Sequence, residues 1–181
     1  SPSVTLTSHT ESTYVSTGTI TISGACENAA SATVTLTGTG YAEAPTTATC
    51  AGGNTWSKLI TIGSEGAIAI TYSQTDLASN TTTLTRNITK DSVPPNLTLI
   101  SHAESSYVTT AGTTISGACE DAASATVNLS GGFAGSPTTA TCSGNTWRKA
   151  ITFGADGPIA INYSQTDAAG NNTALTRNLV K

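Results

Sequence analysis

The chain has 181 residues, a formal net charge of −4 and only 10% charged residues. So few lysines and arginines exclude a nucleic-acid footprint, which needs clustered cations, and leave no basic patch for a membrane surface. No apolar run approaches the roughly 20 residues of a membrane-crossing helix, and the amino terminus lacks the charged and apolar regions of a signal peptide.

In chain order, residues 4–7, 19–26, 33–37, 46–50, 56–62, 67–75 and 81–88 form seven runs of alternating or β-branched residues, separated by Gly, Ser, Asn and Ala clusters. Thr33-Val34-Thr35-Leu36-Thr37 shows the period most plainly, as a half-buried strand does. Threonine suits such strands through its branched Cβ, and its hydroxyl suits the wet face. Period two also assigns faces. Ile20, Ile22, Gly24 and Cys26 share one side; Val34 with Leu36, and Ile68, Ile70 and Tyr72, line others; Trp56, Ile60 and Ile62 complete a core. Lys58 and Arg86, with Lys149 and Arg177 further on, fall on inward faces, so they are expected near strand ends with their heads reaching water or a carboxylate, or beside a bulge that resets the alternation.

After about ninety residues the chain repeats itself. Ser23-Gly24-Ala25-Cys26-Glu27 returns as Ser116-Gly117-Ala118-Cys119-Glu120, and Tyr72-Ser73-Gln74-Thr75-Asp76 as Tyr163-Ser164-Gln165-Thr166-Asp167. That period exceeds the repeat of a solenoid, so each copy is expected to be a self-contained domain, over 1–90 and 91–181. Seven strands per copy and no credible helix predict an all-β chain of two tandem antiparallel β-sandwiches of immunoglobulin type. The connector 89–95 carries Pro94 and Pro95, which stiffen it, so the domains are expected end to end with limited swing. Both termini fall at the same phase of the repeat, which predicts a longer parent protein.

Four cysteines divide as one pair per copy, Cys26 with Cys50 and Cys119 with Cys142. Corresponding positions of two separate domains lie too far apart to bridge, so each pair is expected to close within its own copy and to stabilise it by about 3 kcal/mol. Disulfides place the chain in an oxidising compartment: the cell surface, the exterior or the periplasm. The alternative is buried free thiols in a cytosolic protein.

The order Ser-Gly-Ala-Cys-Glu, Ala-Thr-Val, Gly-Asn-Thr-Trp, then Thr166-Asp167-Ala168-Ala169-Gly170-Asn171, closing with Asp91-Ser92-Val93-Pro94-Pro95, resembles the bacterial immunoglobulin-like domains found in tandem in large repetitive surface proteins and adhesins. The resemblance covers both copies nearly end to end. It implies a non-enzymatic structural or adhesive module, a piece of a surface adhesin or fibre stalk whose partners are neighbouring repeats and a host or prey cell surface, glycan or protein. Members of the group that stiffen their linkers with calcium make Asp91, Glu120, Asp121 and Asp167 a candidate oxygen ligand set. Two departures stand out. The disulfide is an addition to the family pattern, and Ser79 stands where Gly170 supplies the usual glycine.

The chemistry-bearing residues have plainer readings beside the functional ones. His9 with Ser8 and Glu11 could be drawn as a triad, but neighbours on one strand or turn face different ways, and an exposed turn histidine is the simpler expectation for His9 and His102. Asp76 with Asn80, and Asp167 with Asn171, fit Asx-type turns. Tyr41 and Phe133 sit in Gly-rich loops, where the ring either binds a sugar or a protein pocket or folds back to plug the sandwich. Two further readings of the whole chain remain: a ligand-binding module acting through those loops, or an accessory domain of a secreted or phage-tail enzyme.

Overall fold

The computed structural model describes residues 1–181, all β, as two compact units, Ser1–Ser92 and Val93–Lys181. Unit 1 contains β1 (Thr13–Val15), β2 (Thr19–Ala25), β3 (Thr33–Thr39), β4 (Thr46–Thr49), β5 (Thr55–Thr61), β6 (Gly66–Thr75) and β7 (Thr81–Lys90). Unit 2 contains β8 (Ser106–Tyr107), β9 (Gly112–Ala118), β10 (Thr126–Gly131), β11 (Thr138–Ser143), β12 (Thr146–Thr152), β13 (Pro158–Thr166) and β14 (Asn172–Val180).

In unit 1 a five-stranded sheet in the order β1-β7-β6-β3-β4 faces the β2-β5 pair. Unit 2 repeats this plan, but β11 continues into pairing with β12, so its seven strands form one connected sheet. The cause is one residue of loop. Gly144 and Asn145 both adopt positive φ, 58° and 60°, the two-residue turn that hairpins favour, and bring Cys142 opposite Trp147. The corresponding loop of unit 1 is one residue longer and closes through the Ala51 N–H to Thr55 O.

The inward faces are those the alternation assigns: Ile22, Val34, Leu36, Ile60, Ile68, Ile70 and Ile88 are essentially inaccessible. Trp56 and Trp147 are each 2% exposed and pack against Tyr72 and Tyr163 with ring centroids 6.1 and 6.0 Å apart. Replacing such a tryptophan by alanine typically removes about 3–5 kcal/mol. Cys26 at the end of β2 bonds Cys50 just beyond β4, tying the two layers together, and Cys119 bonds Cys142 in the same way.

The run 4–7 behaves differently from its expected strand. It makes no continuous ladder, although Thr5 N–H and Thr7 N–H donate to Ala25 O and Ser23 O along β2. The chain then crosses to the other sheet, where Thr13–Val15 pairs parallel to Ile88, Thr89 and Lys90 of β7. Gly24 makes the first contact feasible, because a Cβ there would stand 1.8 Å from Thr5 O; Gly117 meets Thr98 O identically. This is why the Ser-Gly-Ala-Cys motif needs its glycine.

The arginines also depart from expectation. Arg86 and Arg177 lie within β7 and β14, not at strand ends. Each guanidinium donates to a backbone carbonyl of the entering segment, Leu6 O at 3.2 Å and Leu99 O at 3.0 Å. Thr82 and Thr173 hydroxyls donate to Pro2 O and Pro95 O on the same segment. Since the entering segment lacks a full ladder, these inward polar side chains supply the bonds that fix it across the sandwich.

Candidate functional surfaces

The connector is held from both sides by side chains. Glu65 accepts bonds from Ser92 N–H at 2.8 Å and Ser92 Oγ at 2.6 Å and pairs with Lys90 at 3.3 Å. The Ser92 hydroxyl and N–H hold the Glu65 carboxyl below the usual range, with Lys90 adding to the effect. In unit 2, Glu120 accepts from Asn96 N–H at 3.0 Å while Thr173 binds Pro95 O. Glu27 and Ser3 repeat the former contact at the start of unit 1.

Each acidic residue of the candidate calcium set makes hydrogen bonds within its own unit. Glu120 holds Asn96, Asp121 accepts from Gly144 N–H, and Asp167 accepts from Ala169 and Asn171 N–H and from the Asn171 amide. Asp91 donates its backbone N–H to Val15 O. Within either unit, no three His, Cys, Asp or Glu side chains come close enough together to hold a metal ion. Asp76 forms the corresponding Asx turn in unit 1, and the Asn80 amide, followed by the Asn80 and Ala78 N–H groups, lowers its pKa. There Ser79 takes φ 67° where unit 2 has Gly170 at 85°, so the serine carries backbone strain that the glycine avoids.

Tyr41 and Phe133 are each 7% exposed and belong to the two cores. Their rings close the sandwiches and offer no face for stacking on a sugar, which corrects the binding role open to them from sequence. Burial pushes the Tyr41 hydroxyl up, with Glu43 adding to the effect, and this hydroxyl finds no hydrogen-bond partner.

The histidines assemble no triad. His9 Nδ1 and His102 Nδ1 each share a hydrogen bond with the preceding serine at 2.9 Å. Ser8 Oγ already accepts from Ser23 N–H, and Glu11 is bound to Asn87. Both rings are half-buried where the sequence predicts an exposed turn histidine, and burial lowers the His9 pKa.

Gln74 and Gln165 have a role that motif reading missed. They are 1% and 0% exposed. The Gln74 amide donates to Glu27 O and Ser31 O at 2.8 Å and accepts from Glu27 N–H at 2.9 Å. Gln165 does the same for Glu120 and Ser124, so each glutamine pins the loop beside its disulfide. The signal lay in the register, since Gln74 follows Ile68, Ile70 and Tyr72 on the inward face.

No protein-family model and no curated protein matches the chain. Among solved structures, the fibronectin(III)-like modules of CbhA from Clostridium thermocellum align with a TM-score of 0.58 at 13% identity, covering 98% of this chain and 93% of theirs. A tetra-tandem repeat in the extending region of a large adhesion protein aligns at 0.44 and 18% identity, over 99% of this chain and 49% of its own. The first likeness, taken with the strands and disulfides above, identifies the fold: two tandem antiparallel β-sandwiches of the immunoglobulin and fibronectin(III) kind, with one disulfide in each.

Proposed function

We propose that this chain is a non-enzymatic structural module, a two-unit piece of a longer bacterial cell-surface adhesin or fibre stalk. The observation that carries the reading is the self-sufficiency of each unit: its own core, its own disulfide, and a connector bonded into folded structure on both sides. An array of such units transmits position or load along a chain without needing a catalytic site. Disulfides suit an oxidising exterior, which supports an extracellular or surface location. The partners on this reading are neighbouring repeats and a surface glycan or protein.

Pulling the chain between its termini in a single-molecule force experiment tests the proposal. Two discrete rupture events, one per unit, are expected. Gradual, featureless extension would overturn it, because units that yield without a barrier cannot serve as a spacer.

A further inference from the structure

The outer face of the unit 2 sheet holds a depression of about 630 Å³, within the range of small-ligand sites, where β10, β11, β13 and β14 lie side by side. None of its lining residues is charged. Its polar side chains include those of Asn128, Thr139, Asn162, Ser164 and Thr176, with Ala174 in the same lining. The strand register gathers them, since Asn128 pairs with Thr139 and Ser164, Asn162 with Thr176, and Ser164 with Ala174.

The same face in unit 1 gives an internal reference. Thr35, Thr71 and Thr83 hold the places of Asn128, Asn162 and Ala174, as the registers of β3, β6 and β7 show. Asparagine is depleted from strands and threonine enriched, so two mid-strand asparagines run against local preference. Such breaks concentrate at functional positions. Ala174 removes both the methyl and the hydroxyl that Thr83 places beside Ser73. The Thr176 hydroxyl donates to Asn162 Oδ1 at 2.7 Å, which orients that amide with its two N–H donors outward.

We propose that this depression is a binding site for a neutral oligosaccharide. Amides and hydroxyls both donate and accept, which matches a sugar's hydroxyl groups, whereas a site without a single charge has nothing to hold a carboxylate, sulfate or phosphate. Pro137, also in the lining, offers apolar surface to the C–H face of a pyranose ring. The inference is independent of the spacer reading, since a unit of a stalk and a unit of an accessory module could each carry such a site.

The test titrates the intact chain with cellohexaose, maltohexaose and chitohexaose while backbone amide shifts are followed by NMR, with tri-galacturonate as the acidic control. At least one neutral probe is expected to shift the amides of Asn128, Asn162, Ser164 and Ala174, and the acidic one to leave them unmoved. N162T and A174T install residues that unit 1 already carries at this register, so they should fold, and together they are expected to weaken binding by about tenfold or more. Absence of shifts with all three neutral probes at about 10 mM, shifts confined to another surface, equal response to the acidic control, or binding unchanged in N162T/A174T would each overturn the assignment.

Discussion

Replacing Gln74 by leucine should destabilise unit 1 while leaving unit 2 as an internal reference. Leucine fills a similar volume but makes none of the three bonds to the 27–31 loop. Glu27 O keeps the Ala30 N–H at 3.0 Å, so two groups lose their partner, Glu27 N–H and Ser31 O. Each buried orphan costs about 1–3 kcal/mol, and removing the buried amide gives back about 1–2 kcal/mol, which leaves a net loss of roughly 3 kcal/mol. For a unit of this size the midpoint should fall by about 10–20 °C. Differential scanning calorimetry would read the shift, and hydrogen exchange at Glu27 to Ser31 would locate it. Gln74→Glu should also destabilise, because an ionised carboxylate cannot donate to Glu27 O or Ser31 O. A loss below about 0.5 kcal/mol, the level of an ordinary surface change, would refute the claim that Gln74 holds the loop.

In the force experiment, reduction should lengthen the first unit's extension. Freeing the separation of 24 residues between Cys26 and Cys50, whose Cα atoms are 5.9 Å apart, adds about 75 Å at roughly 3.3–3.6 Å per residue; an unchanged increment would mean the bond is not formed. Acid should loosen a defined set of carboxylate contacts. Glu11, Glu43, Glu65 and Asp76 are held below their ordinary values chiefly by bonds from Asn87, Thr61, Ser92 and Asn80 respectively, as Glu104 is by Asn178. A depressed folded pKa contributes stability that is present above the unfolded value and lost as pH falls through the folded one, so hydrogen exchange between about pH 5 and pH 2 should show protection falling at the bonded Asn87, Thr61, Ser92, Asn80 and Asn178 amides. Unchanged protection at those amides across that range would contradict this.

Period two made the core legible, because side chains such as Ile22, Val34 and Ile70 need only know which side of their own strand is buried. The cysteine pairing was legible for a similar reason, since one pair per copy left a single short-range solution. What stayed hidden depends on distant backbone. Thr13–Val15 is too short to announce itself and pairs with residues about seventy-five positions away. Arg86 looks misplaced on an inward face until Leu6 O is seen to face it, and Gln74 looks like an interruption until the 27–31 loop folds over it. A polar residue on an apolar face reports an unsatisfied main-chain group elsewhere, and sequence alone does not say where.

The two copies separate those demands from others. The groups that complete the fold recur with the same partners: Gln74 and Gln165, Arg86 and Arg177, Thr82 and Thr173, Trp56 and Trp147. Both tryptophan indoles donate to the entering segment, at Thr5 O and Thr98 O. Other positions differ between the copies. Ser57 becomes Arg148, Glu43, which accepts from Thr61 N–H in unit 1, becomes Gly135, and the threonines of one sheet face become asparagine, serine and alanine. The core would tolerate threonine at every one of those face positions, since unit 1 has it, so packing cannot account for the exchange. On the sugar-site proposal the exchange has a use, because the exchanged residues meet in the uncharged depression on unit 2.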